Sequence, residues 1–352
     1  MDLRLTLTDA DRERLRVLFL AKHARGDGTP DDQDGLHAVY HHELRGVLEG
    51  ILPNLKVGDS FTDLFAMPDY DFLFTMLNRG GFKNSEMFGP LFAQWRRLPH
   101  MGASPILRGV GDDKHLTKLC ARAQGVPTPD SVIYRAGGIN DAPPPFADEK
   151  LVVKPNASSA SWGIGIFENW DAARDHMRYL REHEDGHDVI VERFFHGIEL
   201  AVPVVPGRDG RPAYLPVMKY DGENETLRTY QEKRFREHKS EWATFDDPKM
   251  TAVLLQMVDR LMREVWPFDF GRFEFKFAPD TGRFAFIELN MSCNLWSRKT
   301  VSQSWQSLGY THAELIETIL TGSLLRQGVI REAQGEATWH SRHSSSPLSA
   351  RA

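Results

Sequence analysis

The sequence has only two cysteines, Cys120 and Cys293, in 352 residues. A disulfide framework or a zinc ribbon needs more, so neither is expected, and a reducing compartment is the simplest setting. Long hydrophobic runs are also missing. Each apolar stretch is short and broken by charge, so none is expected to span a bilayer. Met1 to Arg16 is charged throughout and lacks the apolar core of a secretory signal. A cytoplasmic protein without a membrane partner is the default expectation. Strong basic charge is absent too: the formal net charge is −6, which gives nucleic acid no field to follow. No Gly-x-x-x-x-Gly-Lys-[Ser/Thr] string occurs, which excludes a P-loop as a phosphate site.

Strands alternate with helical patterns through the first hundred residues. Arg16 to Ala21 and Asp71 to Leu77 read as buried strands, and Leu36 to Leu52 and Ser85 to Leu98 as helices. That order predicts a parallel sheet with helices on both faces. Near Gly102 the texture changes. Asp112 or Asp113 is placed to cap a helix from Lys114 to Gln124, which Gly125 ends. Short strands follow at Lys150–Lys154, Val189–Glu192 and Glu199–Val205, with helices over Asn169–His183, Leu254–Val265 and Thr311–Leu320. Beyond about Gln327 the chain is polar and aperiodic, which predicts a disordered tail.

Two strands near the C-terminus, Arg272–Phe277 and Arg283–Glu288, are joined by the turn Pro279-Asp-Thr-Gly, a hairpin signal. Alternation puts Phe273, Phe275 and Phe277 on one face and Arg272, Glu274 and Lys276 on the other. If the hairpin closes around Thr281, Glu274 faces Glu288, with Asn290 beside it. Opposed carboxylates destabilise a sheet. A hard divalent cation relieves that, and two carboxylates with an amide oxygen are suitable ligands for magnesium. Pairing with Arg272 and Lys276 is the plainer alternative. Earlier, Lys154 ends a strand and leads into Pro-Asn-Ala-Ser-Ser-Ala-Ser-Trp-Gly, whose small residues let backbone N–H groups approach phosphate. Ser158, Ser159 and Ser161 add hydroxyl donors. Glu192-Arg-Phe-Phe-His-Gly-Ile-Glu199 then reads as two strands about a turn. Phe194 and Phe195 there offer an apolar wall to a base, and the alternative is an exposed hairpin.

Taken in order, Lys114, the Lys154 loop, Glu192 and Glu199, Lys219, Arg272-x-Glu274 and Glu288-x-Asn290 resemble the ATP-grasp superfamily, most closely its D-alanine–D-alanine ligase-like branch. The likeness covers residues 16 to 325. It implies an N-terminal α/β domain over 1–105, with central (106–188) and C-terminal (189–330) α+β subdomains clamping ATP and a tail over 331–352. It implies that Lys114, Lys154 and Lys219 neutralise ATP phosphates beneath a loop containing Ser158, Ser159, Ser161 and Gly163. It further assigns Glu192 to the adenine side, Phe194 to the hinge position and Glu199 to the ribose. Glu274, Glu288 and Asn290 become the ligands of magnesium, with manganese as a substitute, and Arg272 steadies an acyl phosphate. The implied chemistry joins a carboxylate to an amine with release of ADP and phosphate. Related ligases are often dimers, so a homodimer is implied.

Departures cluster where substrates would bind. Family members carry Gly-Gly-x-Ser-x-Glu-Arg after their first strand, and its acid holds the ammonium of the first substrate. This chain has Ala21-Lys-His-Ala-Arg-Gly-Asp. Cys293-Asn294 replace a Pro-Gly pair, Lys299 replaces a serine, and Glu274 replaces an aspartate. Substrates other than two D-alanines are therefore expected. Asn294, Arg298, Lys299 and Trp162, with Trp296, are the candidate residues near them. A genuine D-alanine–D-alanine ligase and a non-catalytic ATP-binding module are the competing readings. His183-Glu-Asp-Gly-His187 matches a zinc-protease string, but Gly186 breaks the helix that such a site needs.

Overall fold

The computed structural model describes residues 2–30, 34–66, 69–77, 82–139, 141–158, 162–182, 186–220 and 242–331. Residues 332–352 and the charged run Glu232 to Glu241 lie outside that set, as do Ser159, Ser161 and His183. Helix α1 (Asp9–Arg14), capped by Thr8, precedes strand β1 (Val17–Leu20). Strand β1 pairs in parallel with β2 (Lys56–Gly58) and β3 (Phe72–Thr75), in the order β2-β1-β3. Every residue of β1 and β3 is buried, which is why both read as unbroken apolar runs. Helix α2 (His37–Ile51) crosses between β1 and β2, and α3 (Asp63–Ala66) follows β2. The helix predicted over Ser85 to Leu98 is shorter. It opens as a 3₁₀ turn at Ser85–Met87, and α4 covers Phe88–Trp95. Arg97 adopts a left-handed φ of 54°, and no helix continues through that conformation.

His41 on α2 is buried, and its Nδ1 lies 2.7 Å from the Lys22 carbonyl. Burial pushes this imidazole down to about 4. The unfolded chain therefore binds the proton first as pH falls, and His41 withdraws stability between pH 6.5 and 4, by up to about 3 kcal/mol. The melting temperature is expected to fall over this window, and His41→Gln should flatten the fall.

Helices α5 (Pro105–Asp112) and α6 (Lys114–Ala123) lead into a four-stranded antiparallel sheet. Its strands are β4 (Ser131–Tyr134), β5 (Leu151–Pro155), β6 (Gly165–Phe167) and β7 (Val189–Arg193), in the order β4-β7-β5-β6. Helix α7 (Trp170–Glu182) packs over it through Trp170, Ala173, Met177 and Leu180. Strand β7 is thus central in this sheet, although the boundary expected at residue 188 gave it to the next unit.

A second antiparallel sheet holds β8 (Ile198–Pro206), β9 (Pro212–Tyr214), β10 (Met218–Tyr220), β11 (Trp242–Thr244), β12 (Gly271–Ala278) and β13 (Arg283–Met291). The order is β11-β10-β8-β12-β13, with β9 also on β8, so β13 is an edge strand. Helix α8 (Pro248–Val265) buries Leu254, Val258, Leu261 and Met262 against the phenylalanines of β12 and β13. Helices α9 (Thr300–Gln306) and α10 (His312–Arg326) pack toward β8, and α10 also touches α2. Strands β7 and β8 belong to different sheets. Phe194–Gly197 is accordingly a link between two sheets, and the exposed-hairpin alternative for Glu192–Glu199 does not hold. No described helix is long and apolar enough to cross a membrane.

Candidate nucleotide and metal site

Strand register decides where the acids point. The connection Pro279–Gly282 closes the hairpin with Ala278 opposite Arg283 and Phe275 opposite Phe286. Gly282, at φ 65°, takes the left-handed position that this turn requires. Continued unchanged, that register would set Glu288 opposite Phe273, inside the apolar core. A β-bulge at Ile287 intervenes. Beyond it Glu274 faces Glu288 and Arg272 faces Asn290, so all four lie on the face away from the phenylalanines. Arg272 Nε lies 2.6 Å from Glu274 Oε1. Asn290 Nδ2 donates to both carboxylates, at 3.0 Å to Glu274 and 3.1 Å to Glu288.

Three lysines close over this pair. Lys114 opens α6, where the Asp113 side chain accepts from Leu116 N and Asn156 Oδ1 accepts from His115 N. Its Nζ lies 3.7 Å from Glu288 Oε2 and donates to the Ser158 carbonyl at 3.1 Å. Lys154 is the penultimate residue of β5, and its Nζ is 2.9 Å from Glu192 Oε1. Lys118, one turn along α6 from Lys114, is fully buried, with Nζ 3.2 Å from the same Glu192 oxygen. Burial opposes charge on Glu288, but Lys114 and Lys154 hold its carboxyl well below the usual range. Burial likewise opposes the charge of Glu192, and Lys118 with Lys154 outweighs it. Lys118 is pushed down to about 8 by burial, against the pull of Glu192. Four cations and three carboxylates therefore share one region, with one positive charge left over.

Other expected site residues are spread around this centre. Glu199 is the second residue of β8 and lies opposite Lys276, whose Nζ is 3.6 Å away. Lys219 is half-buried on β10 opposite Leu200. Phe194 lies beneath the Lys150 ammonium at 5.2 Å, and Phe195 beneath the Arg283 guanidinium at 5.7 Å. Gly163 has φ 71° and lies so close to Pro155 that a Cβ would meet its ring at 2.8 Å. Trp162 packs on the four-stranded sheet and against His187, while Trp296 packs 6.0 Å from Tyr40 on α2. The two tryptophans thus belong to separate clusters.

The segment after Asn290 links the acids to the N-terminal sheet. The buried Cys293 thiol lies against Arg272, and burial pushes its pKa up. Asn294 Oδ1 accepts from Trp296 N at 2.7 Å, bending the chain. Arg298 and Lys299 stand over the Trp296 ring at 5.3 and 5.9 Å. Glu43 on α2 accepts from Trp296 Nε1, Ser297 N and Ser297 Oγ, each at 3.0 Å. Sequence reading missed Glu43, Lys118 and Asp34. Asp34 accepts from Lys22 at 3.0 Å and lies 3.0 Å from His23. Only Lys118 carried a readable signal, its helical spacing from Lys114.

Comparison with known proteins gives the same architecture. The family model described as D-ala D-ala ligase C-terminus matches residues 149–321. A D-alanine–D-alanine ligase of Delftia acidovorans is 24% identical over 229 residues, covering 65% of this chain and 69% of that protein. The crystal structure of a D-alanine–D-alanine ligase from Bacillus anthracis complexed with ATP superposes with a TM-score of 0.68 at 16% identity, over 90% of this chain and 99% of that one. The D-alanyl-alanine synthetase A of Vibrio cholerae gives 0.68 at 14%, over 88% and 98%. ATP and magnesium are the nucleotide and metal of this family. Residues 149–321 thus match the C-terminal domain of the D-alanine–D-alanine ligases, a family of ATP-dependent, ADP-forming enzymes, and the chain as a whole shares their ATP-grasp fold.

Proposed function

We propose that this enzyme joins a carboxylate to an amine through an acyl phosphate, and that the pair is not two D-alanines. The observation that carries the reading is the meeting of Lys114, Lys154, Arg272, Glu274 and Glu288 on one face between two sheets. Attack of a carboxylate on a phosphate brings two anions together, so cations must surround the reaction. In this reading Lys114 and Lys154 hold the phosphate oxygens of ATP, with Lys219 reaching them from β10. Ser158, whose carbonyl accepts from Lys114, stands beside them. Phe194 and Phe195 border the base and Glu199 the ribose.

The donor set fits magnesium. Glu274 and Glu288 offer hard oxygens from opposite strands, and the amide of Asn290, which donates to both, also has an oxygen to offer. A bound divalent ion would supply charge neutralisation at the β- and γ-phosphates. The substrate carboxylate displaces ADP from the γ-phosphate. Arg272 then stabilises the oxyanion that forms as the amine adds to the acyl carbon. Phosphate leaves with the C–O bonding pair, and the amine loses a proton to solvent. Glu192 serves this site by holding Lys154 and Lys118, since its oxygen is already engaged by both ammonium groups.

Substrates other than D-alanine are supported by the segment after Asn290, where Cys293 lies against Arg272 and Lys299 crosses Trp296. The test is ADP release with magnesium ATP, hydroxylamine as the amine and a panel of carboxylic and amino acids. Acyl hydroxamate from acids other than D-alanine is expected. Efficient synthesis of D-alanyl-D-alanine would refute the substrate reading. Tight ATP binding with no ADP from any acid would refute the ligase reading.

A further inference from the structure

We propose that Lys118 is a positioning residue for the metal site, because it holds the backbone bulge that turns Glu288 and Asn290 toward Glu274. This rests on the metal reading above and adds a device that builds the site. The bulge at Ile287 is what moves Glu288 off the phenylalanine face. An edge strand leaves one row of backbone groups without a neighbouring strand, and a bulge disturbs the ladder on its paired side as well. On β13 those groups are taken up by the chain around α6. Lys118 Nζ donates to the Ile287 carbonyl at 2.9 Å and to the Phe286 carbonyl at 3.4 Å. Thr128 Oγ1 donates to the Phe286 carbonyl at 2.8 Å, and Phe286 N donates to the Pro127 carbonyl at 2.7 Å. An ammonium on two adjacent carbonyls fixes both peptide planes, and with them the side of the strand from which Glu288 leaves.

The same ammonium pairs with Glu192, which also holds Lys154. Lys118 thus connects the metal ligands of one sheet to a phosphate lysine of the other. A lysine kept only for packing has no need to place its charge on two carbonyls, since a buried ammonium costs far more than an apolar side chain of similar volume.

The test separates metal affinity from nucleotide affinity in the full-length protein. Manganese is titrated into enzyme saturated with AMP-PNP, and free Mn²⁺ is read by electron paramagnetic resonance. Binding of a fluorescent ATP analogue in EDTA reports nucleotide affinity alone. Lys118→Met is expected to weaken Mn²⁺ binding about 10- to 100-fold, the usual effect of losing a group that orients metal ligands. It should also weaken the nucleotide, through Lys154. Thr128→Val removes one hydroxyl and no charge. It is expected to weaken Mn²⁺ about fivefold and leave the nucleotide unchanged, and it alone decides the matter if Lys118→Met does not fold. Unchanged Mn²⁺ affinity in Thr128→Val, or equal losses of metal and nucleotide affinity in that variant, would overturn the proposal. If wild-type enzyme itself binds no Mn²⁺ beside the nucleotide, the metal reading fails and the proposal with it.

Discussion

Glu288→Gln is expected to lower kcat/KM for ATP by about 10²–10³-fold, the scale of losing one preorganised electrostatic group at a reacting centre. The glutamine keeps the shape of the side chain and can still meet Asn290. It removes the negative charge that faces Glu274 across the strands and that Lys114 approaches at 3.7 Å. In the proposed reading magnesium loses an anionic ligand, and Lys114 loses its counterion when ATP is absent. The Mg²⁺ concentration needed for half-maximal rate should therefore rise along with the fall in kcat. Binding of ATP without metal should be kept or slightly improved, because one repulsive charge is gone. Steady-state ADP formation at several Mg²⁺ concentrations checks the first point, and nucleotide binding in EDTA checks the second. Equal activity in Glu288→Gln and wild type would remove Glu288 from the metal site.

Glu192→Gln acts mainly on stability. Lys118 and Lys154 both approach one buried oxygen of Glu192. Neutralising it leaves two ammonium groups without their anion, and breaking a buried pair in this way costs about 3–5 kcal/mol. A pH signature distinguishes this from a packing fault. Burial already pushes Lys118 down to about 8 with the carboxylate present, and without it the folded-state value falls further. The unfolded chain then binds the extra proton over a wider window, so stability rises with pH through that window. The melting temperature of Glu192→Gln should recover between pH 7 and 9, where wild type gains only above about pH 8. A melting temperature depressed equally across that range would show that the two lysines are not the cause.

How much of this was legible before folding depends on the residue. The phenylalanine face of β12 and the charged face behind it follow from alternation, and the structure keeps both. The pairing of Glu274 with Glu288 also occurs, but by another route. Closure around Thr281 gives that pairing in a regular hairpin, whereas the actual four-residue connection sets the register off by one and the bulge at Ile287 restores it. A bulge held by Lys118 and Thr128, from a segment more than 150 residues earlier, leaves no mark in the local pattern of β13. Glu192 and Glu199 looked like the two arms of a hairpin because a short Gly-containing turn separates them. Which sheet each strand joins depends on partners far away in sequence, and β7 joins β5 rather than β8. Short strands such as β4, β6 and β9 carry too few residues for alternation to be read. The capping of α6 by Asp113 was legible because a cap is a local event.

Catalysis in the proposed reading needs a divalent ion held by Glu274, Glu288 and Asn290 beside ATP. The direct measurement is a crystal structure of the protein with AMP-PNP and manganese, using the anomalous scattering of the metal. The expected result is an anomalous peak about 2.1 Å from oxygens of both glutamates and of Asn290, bridged to the nucleotide phosphates, with Lys114 and Lys154 on those phosphates. Nucleotide bound between the two sheets with no metal at the glutamate pair, or metal held by other residues, would contradict it.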